Sequence, residues 1–206
     1  MLLVIGNKNY SSWSLRPWLA LKVLGVPFDE KRIALRRPET KAEILRHSPA
    51  GRVPVLKDGD TVVWDSLAIL EYLAEKYPQL WPGDRAERAR ARSMAAEMHS
   101  GFPALREHMS MNTRKRYAGK GRTPESMADV ARIDEIWSQA RGPFLFGSFT
   151  AADAMYAPVV LRFRTYEVKV RKTSYMEAML ALPAMREWIE AAEREPEAIP
   201  ELDLHG

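Results

Sequence analysis

The chain has 206 residues, of which 46% are hydrophobic and 28% are charged, a composition typical of a globular protein with a substantial core. It contains no cysteine, which excludes disulfides, cysteine nucleophiles and thiolate metal sites, so any thiol chemistry would need a thiol carried by a ligand. The net charge of +4 suits a small anionic ligand as well as a polyanion. No apolar stretch approaches the roughly 18 residues of a membrane span, and no basic segment precedes the first apolar run, which favours a cytoplasmic protein.

The first part of the chain alternates strand and helix patterns. Apolar runs and helical periodicity predict a strand, a helix, a second strand and a short helix at residues 2–5, 14–24, 28–35 and 40–45. Asp58-Gly59 lies between two apolar runs and predicts a hairpin, because both central residues of a type I′ turn need positive φ. A helical face follows over 66–77. The predicted order is β-α-β-α-β-β-α, an α/β domain over residues 1–77.

The second part of the chain lacks alternating strand patterns. Two prolines and a glycine within 78–84 predict a linker. Beyond it, periodicity predicts an all-helical domain over 85–206, with helices at 85–111, 124–141, 151–166 and 174–192, the last interrupted at Pro183. The basic stretch 115–122 contains two glycines, so we interpret it as a solvated loop and expect no nucleic-acid partner. The histidines are scattered without metal-ligand spacing, and no metal is expected.

A cluster of serines marks the turn between the first strand and the first helix. A helix start presents free N–H groups and a positive dipole end, and the hydroxyls of Ser11, Ser12 and Ser14 add movable donors. An anion would be stabilised at this turn. The structural alternative is that the serines only cap the helix, because serine is a preferred N-cap residue. Taken alone, these residues favour the capping explanation.

Two further dipeptides lie at places where a ligand could bind. Val53-Pro54 opens a strand, and an ordinary trans bond is expected there; a cis bond would turn the Val53 backbone outward to pair with a peptide-like ligand. Asp65-Ser66 begins a helix, where capping is a sufficient explanation. The same pair could bind an amino-acid head group, with the ammonium at Asp65 and the carboxylate at Ser66. The residues alone leave both explanations open.

Four segments together resemble the cytosolic glutathione transferases over nearly the whole chain. They are Ser11-Ser12-Trp13-Ser14-Leu15-Arg16, Gly51-Arg52-Val53-Pro54-Val55-Leu56, the segment Trp64-Asp65-Ser66 with the helix after it, and Phe149-Thr150-Ala151-Ala152-Asp153-Ala154. The resemblance is to serine-type bacterial members, distantly like the zeta class. It implies a thioredoxin-like N-terminal domain, an all-helical C-terminal domain, glutathione as co-substrate, a homodimer and a role in detoxification. Thr150 and Asp153 match the family's structural N-capping box.

The resemblance also implies roles for individual residues. Glutathione would contact Trp13, Arg52, Val53, Pro54, Asp65 and Ser66, with Arg52 either on the glycine carboxylate or simply solvated. The sulfur would meet a hydroxyl, first that of Ser11 and otherwise that of Ser12, while Ser14 caps the helix and Tyr10 is a weaker candidate. A hydrogen bond and a positive helix end lower the thiol pKa from about 8.5, so the thiolate forms at neutral pH.

The second substrate is expected to lie between the two domains. Candidate residues for its pocket are Arg16, Met98, His99 and Arg106. We therefore expect a transferase that directs the glutathione thiolate at a small apolar or aromatic electrophile. The alternatives are a glutathione-dependent cis–trans isomerase of a maleyl-type dicarboxylate and a non-catalytic binding protein. Trp13 and Leu15 replace the cysteine and tryptophan of the zeta pattern, which counts against the isomerase.

Overall fold

The N-terminal part of the chain is built on a four-stranded mixed sheet. The structure is a computed structural model that describes residues 1–205. In chain order its elements are β1 (Leu2–Ile5), α1 (Ser12–Val23), β2 (Asp29–Arg32), α2 (Thr40–Leu45), β3 (Val55–Asp58), β4 (Thr61–Trp64) and α3 (Ser66–Lys76). The strand order is β2-β1-β3-β4, with β1 parallel to β2 and antiparallel to β3. This confirms the predicted order of elements and the α/β fold class.

The chain beyond a short 3-10 turn at Pro78–Leu80 is helical, as predicted, apart from two isolated bridges within 144–148. Its helices are α4 (Arg85–Ser100), α5 (Pro103–His108), α6 (Pro124–Ser138), α7 (Ala151–Tyr166), α8 (Thr173–Ala181) and α9 (Pro183–Glu193). Among the described residues, no helix has both the length and the apolar character needed to cross a bilayer. The predicted domain limits at 77 and 85 remain predictions, and residue 206, the end of the predicted second domain, lies outside the described residues.

The prediction of one helix over 85–111 is wrong. The helix ends at Ser100, and Phe102 has a left-handed backbone conformation with a φ of 60°. Pro103 then begins α5. A proline disfavours the helical conformation at the residue before it, so the chain turns at Phe102 instead of continuing.

One hydrophobic core joins the two parts of the chain. Helix α1 packs against α3 on one side and against α7 of the helical part on the other. At the N-terminus of α7 the predicted capping box forms, with the buried Asp153 carboxylate accepting hydrogen bonds from the N–H groups of Thr150 and Leu145. Through its contacts with α3 and α7, helix α1 lies where the two parts of the chain meet.

The segment after α9 returns to the first domain and holds the turn between β1 and α1. The carboxylate of Glu195 accepts hydrogen bonds from the N–H groups of Lys8 and Asn9, at 2.7 and 3.1 Å. The hydroxyl of Tyr10 donates to the carboxylate of Asp203 at 3.0 Å. The tail thereby fixes the backbone that leads directly into the serine cluster.

Candidate active site

A cleft of about 580 Å³ lies between the sheet end of the first domain and helix α4. Its lining residues are Trp13, Ala50, Arg52, Val53, Pro54, Trp64, Asp65, Ser66 and His99. The structure thus brings together all six residues that the resemblance assigns to glutathione, along with one second-substrate candidate, His99. It does not place Ser11, Ser12, Arg16, Met98 or Arg106 on the cleft wall.

Two lining residues were missed by the sequence reasoning. Trp64 ends β4 directly before Asp65, and it is 44% exposed, which is unusual for so large an aromatic side chain. An aromatic residue beside a candidate binding pair is a signal that could have identified it. Ala50 lies on the loop before Val53 and offers no chemical signal that would identify it.

The Val53–Pro54 peptide bond, which precedes β3 on the cleft wall, is cis. The sequence reasoning expected an ordinary trans bond, and this expectation is wrong. The preference of a proline bond for trans is only about 0.5–1 kcal/mol, so the surrounding fold can select either form.

Asp65 serves the helix and faces the cleft at the same time. One oxygen of its carboxylate, Oδ1, accepts a hydrogen bond from the Leu67 N–H at 2.8 Å and so caps α3. The other oxygen, Oδ2, lies 3.4 Å from Nε2 of His99 on α4. Capping and ligand binding are therefore compatible, because each explanation uses a different oxygen.

Arg16 lies behind Ser66. Its side chain is only 1% exposed, and its Nη1 donates a hydrogen bond to Ser66 Oγ at 3.2 Å. Its Nε has no partner among the described residues, and no carboxylate forms an ion pair with it there. Burial, followed by the charge of Arg106, lowers the pKa of Arg16 well below its usual value. The structure therefore places a buried cation one hydroxyl away from the cleft, and the charge of Asp65 offsets it only in part.

Two guanidinium groups and a histidine ring lie close to the indole ring of Trp13. The guanidinium carbons of Arg16 and Arg106 lie 4.3 and 4.8 Å from its ring centroid, and the ring of His99 meets it edge-on at 5.4 Å. Cations over an indole face are attracted by the ring quadrupole. Arg106 also donates to the carbonyl oxygens of Met98 and Gly101. The hydrogen bonds of Arg106 therefore tie together the end of α4, and Met98 itself is buried in the core.

The three serines differ in what their hydroxyls contact. Ser11 Oγ donates to Ser14 Oγ at 2.7 Å, and Ser14 Oγ also accepts from the Gly6 N–H at 3.1 Å. The prediction that Ser14 caps the helix is wrong, because its hydroxyl ties the end of β1 to α1 instead. Ser11 occupies the N-cap position but makes no side-chain capping bond. Tyr10 cannot serve the cleft, because its side chain is buried and bonded to Asp203.

The start of α1 is left electropositive. It has neither a side-chain cap nor an acidic residue in its first turn. The first N–H groups of a helix have no intrahelical acceptor, and the helix dipole adds about half a positive charge there. The arrangement can stabilise an anion held near the N-terminus of α1.

Two family models match the chain. The model of the glutathione S-transferase N-terminal domain matches residues 10–76, and that of the glutathione S-transferase C-terminal domain matches residues 120–191. A probable maleylacetoacetate isomerase of Caenorhabditis elegans is 36% identical over 100 residues, which are 48% of this chain and 46% of that protein. A zeta-class glutathione S-transferase of Euphorbia esula is 40% identical over 82 residues, 38% of this chain and 36% of that protein. The chain spans less than half the length of these relatives.

Solved structures share the fold over nearly the whole chain. A Burkholderia glutathione transferase homolog with bound glutathione superposes with a TM-score of 0.72 at 22% identity, covering 94% of this chain and 98% of that one. Maleyl pyruvate isomerase, described as a bacterial zeta-class glutathione S-transferase, superposes with a TM-score of 0.71 at 26% identity. The match covers 97% of this chain and 100% of that one. Together with the family models, these findings confirm the predicted resemblance, its distant zeta-like character and the predicted fold.

Proposed function

Because the chain belongs to the glutathione S-transferase family, we propose that its cleft binds glutathione and that the protein directs the glutathione thiolate at a small electrophile. The single observation that carries this proposal is the convergence of all six residues assigned to glutathione on one cleft. They come from three separate segments of the chain, around Trp13, Val53 and Asp65. The uncapped start of α1 lies directly before Trp13 and suits the charge of a thiolate.

The γ-glutamyl head of glutathione is assigned to Asp65 and Ser66. A guanidinium can only donate hydrogen bonds, so Ser66 Oγ must accept from Arg16. The hydroxyl hydrogen of Ser66 is then free to donate to a carboxylate in the cleft. Oδ2 of Asp65 is the acceptor for the ammonium group, while Oδ1 continues to cap α3.

The remainder of the tripeptide follows the wall of the cleft. The backbone of Val53 would pair with the cysteinyl residue, in the manner of an added strand. The exposed side chain of Arg52 would meet the glycine carboxylate, because a guanidinium pairs with a carboxylate through two parallel hydrogen bonds. The sulfur then lies toward the serine cluster and Trp13.

In the proposed reaction the nucleophile is the thiol of glutathione, because the chain itself has no cysteine. The positive end of α1 and a hydrogen bond from a hydroxyl lower the thiol pKa from about 8.5, and the thiol loses its proton to water, which leaves the thiolate. Its electron pair forms the new carbon–sulfur bond, and the displaced group leaves with the electrons of the broken bond. His99 and Trp13 border the space in which that electrophile would lie. A homodimer and a cytoplasmic location belong to the same proposal.

The relatives give a specific reason to test isomerisation as a second candidate function. Two of the proteins to which the chain is similar are described as isomerases of maleyl compounds. In that reaction the thiolate would add to a double bond and leave again after rotation, with no net loss of glutathione. The buried Arg16, which does not line the cleft, gives no direct support for binding of a substrate carboxylate.

The proposed function is tested by calorimetric titration of the protein with glutathione, followed by turnover assays. Wild-type protein is expected to bind glutathione and to conjugate halogenated aromatics or isothiocyanates. Ser66→Ala is expected to weaken binding, whereas Ser93→Ala, a change at an exposed serine on α4, is the matched control. No detectable binding to wild-type protein would refute the proposal. Binding with turnover of maleyl compounds only would establish the isomerase instead.

A further inference from the structure

We propose that Trp13 decides the charge of the electrophile that the cleft accepts, because its indole ring separates the cleft from two guanidinium groups. With the ring in place the protein takes an uncharged aromatic electrophile, and without it the cleft admits one that carries a carboxylate. The inference rests on the proposed function and deepens it, because it names the class of the second substrate and the residue that selects it.

Three arginines with little exposure act on one another near this ring. Arg16 and Arg162 are 1% and 6% exposed, and Arg106 is half-buried; we call the three the arginine cluster. Burial, followed by the charges of Arg106 and Arg162, lowers the pKa of Arg16. Burial, followed by the charge of Arg106, lowers the pKa of Arg162 to about 9. Because arginine stays protonated in proteins, the cluster brings three positive charges together.

The arginine cluster is held by neutral oxygens. Its side chains donate hydrogen bonds to oxygen atoms of Ser66, Met98, Gly101 and Met109. Among the described residues, none of the three arginines forms an ion pair with a carboxylate, and the charges of Asp65 and Asp129 offset those of Arg16 and Arg106 only in part. Because a buried charge is costly without a partner, the cluster would be stabilised by an anion that could reach it.

The indole of Trp13 is the part of the cleft wall that touches the arginine cluster. Its ring centroid lies 4.3 and 4.8 Å from the guanidinium carbons of Arg16 and Arg106, and Trp13 lines the cleft although neither arginine does. The volume that the ring fills therefore adjoins the cleft and both guanidinium groups. If the ring were removed, this volume would join the cleft and the two cations would border it.

The same ring gives the cleft a surface that suits an uncharged aromatic molecule. An indole packs well against another aromatic ring and attracts the guanidinium groups through its quadrupole, but it brings no positive charge to the cleft. Arg52, which also lines the cleft, is assigned to the glycine carboxylate of glutathione. A carboxylate on the electrophile would therefore lose its hydration without meeting a free guanidinium, which is unfavourable.

The test compares two electrophiles, a chloronitrobenzoate and its methyl ester, which differ mainly in the charge of the carboxylate. In both, the glutathione thiolate forms a carbon–sulfur bond and chloride leaves with the electron pair of the carbon–chlorine bond. The ratio of kcat/KM for the benzoate to that for the ester is measured at saturating glutathione, so that a change in thiolate activation cancels. Wild-type protein is expected to favour the ester. Trp13→Ala is expected to raise the ratio about tenfold, because the carboxylate gains a charge-assisted hydrogen bond.

Two further variants show whether the arginine cluster causes this change. Trp64→Ala removes the other tryptophan of the cleft wall, over whose ring no cation lies among the described residues, and it is expected to leave the ratio unchanged. Adding Arg106→Gln to Trp13→Ala removes a charge while keeping a hydrogen-bond donor, and it is expected to return the ratio toward the wild-type value. Trp13→Phe retains an aromatic ring and is expected to keep the preference for the ester.

The Tm and the glutathione Kd of each variant are measured alongside the ratio. If Trp13→Ala folds poorly, Trp13→Leu provides a smaller apolar side chain, for which a smaller rise of the ratio is expected. A ratio that does not rise in the folded variants, or that rises equally in Trp64→Ala, would overturn the proposal, as would a wild-type preference for the benzoate. Failure of wild-type protein to bind glutathione would instead refute the proposed function, so the two failures are distinguishable.

Discussion

Arg16 donates a hydrogen bond to Ser66 Oγ across 3.2 Å, which couples a buried cation to a hydroxyl on the cleft wall. Among the described residues, no carboxylate forms an ion pair with the guanidinium, and the charge of Asp65 offsets it only in part. Burying such a charge is costly, and a ligand carboxylate held by Ser66 would add a counter-charge.

We therefore predict that Arg16→Met weakens glutathione binding without destabilising the ligand-free protein. The Kd is expected to rise about tenfold, because a charge-assisted contact is lost. The free energy of unfolding in urea is expected to fall by no more than about 1 kcal/mol, since an apolar side chain replaces an unpaired buried charge. Calorimetry and urea unfolding of the same preparation measure both quantities. An unchanged Kd would show that Arg16 does not act on the ligand.

Asp65 allows capping and ligand binding to be separated. Asparagine caps a helix as well as aspartate, so Asp65→Asn is expected to retain the unfolding free energy to within about 0.5 kcal/mol. The variant removes the negative charge and is expected to weaken glutathione binding at least tenfold. Asp65→Ala should show the same loss of affinity and an additional loss of about 1 kcal/mol in stability. If Asp65→Asn binds glutathione as wild type does, the residue is only a cap.

The C-terminal tail is expected to stabilise the turn that leads into the serine cluster. Glu195→Ala would leave the N–H groups of Lys8 and Asn9 without an acceptor, and this should cost about 2 kcal/mol of unfolding free energy. Hydrogen exchange of those two amides should accelerate. Glu201→Ala, at an exposed position of the same tail, is the control. Equal stability of the two variants would contradict the role given to Glu195.

Asp153 is expected to give the stability of the protein a pH dependence of unusual sign. Burial raises its pKa from 3.8 to about 6, against the opposing effect of the hydrogen bonds from Leu145 and Thr150. Between about pH 4 and 6 the folded state therefore holds a proton that the unfolded state has released. The stabilisation from this group is complete below about pH 4 and is lost as the pH rises through about 6.

Urea unfolding between pH 4 and 7 checks this expectation. The contribution of Asp153 is expected to fall by up to about 1.4 kcal/mol per pH unit between about pH 4 and 6. Asp153→Asn cannot titrate, so the stability difference between wild type and variant should shrink as the pH rises. A difference that grows with pH would show that the carboxylate is ionised throughout and would contradict the raised pKa.

Local patterns accounted for most of the fold. Apolar runs and the Asp58-Gly59 turn predicted every strand of the sheet, because apolar spacing and positive-φ residues act within a few residues of the chain. The exception was the break at Phe102. Apolar residues continue on both sides of it, and only the following proline signalled that the helix ends there.

The residues of the cleft were predicted by their motifs, whereas their contacts were not. Trp13, Val53 and Ser66 line one cleft as expected, but the sequence suggested that Arg16 would contact the second substrate and that Ser14 would cap a helix. In the structure Arg16 is buried behind Ser66, and Ser14 bonds to Gly6 and Ser11. The bond between Arg16 and Ser66 joins residues 50 positions apart, so the neighbours of Arg16 in the chain do not reveal it.

The sequence by itself determined the fold class, the family and which segments form the cleft, because these follow from local periodicity and from short motifs. Only the tertiary structure decided the cis bond at Pro54, the buried cation behind Ser66 and the bond between the hydroxyls of Ser11 and Ser14. A hydroxyl can donate one hydrogen, and whether a nearby acceptor takes it depends on how the fold places the two side chains. Residue type therefore supplied the candidates for the sulfur contact, and the surrounding fold engaged the hydroxyl of Ser11 with Ser14.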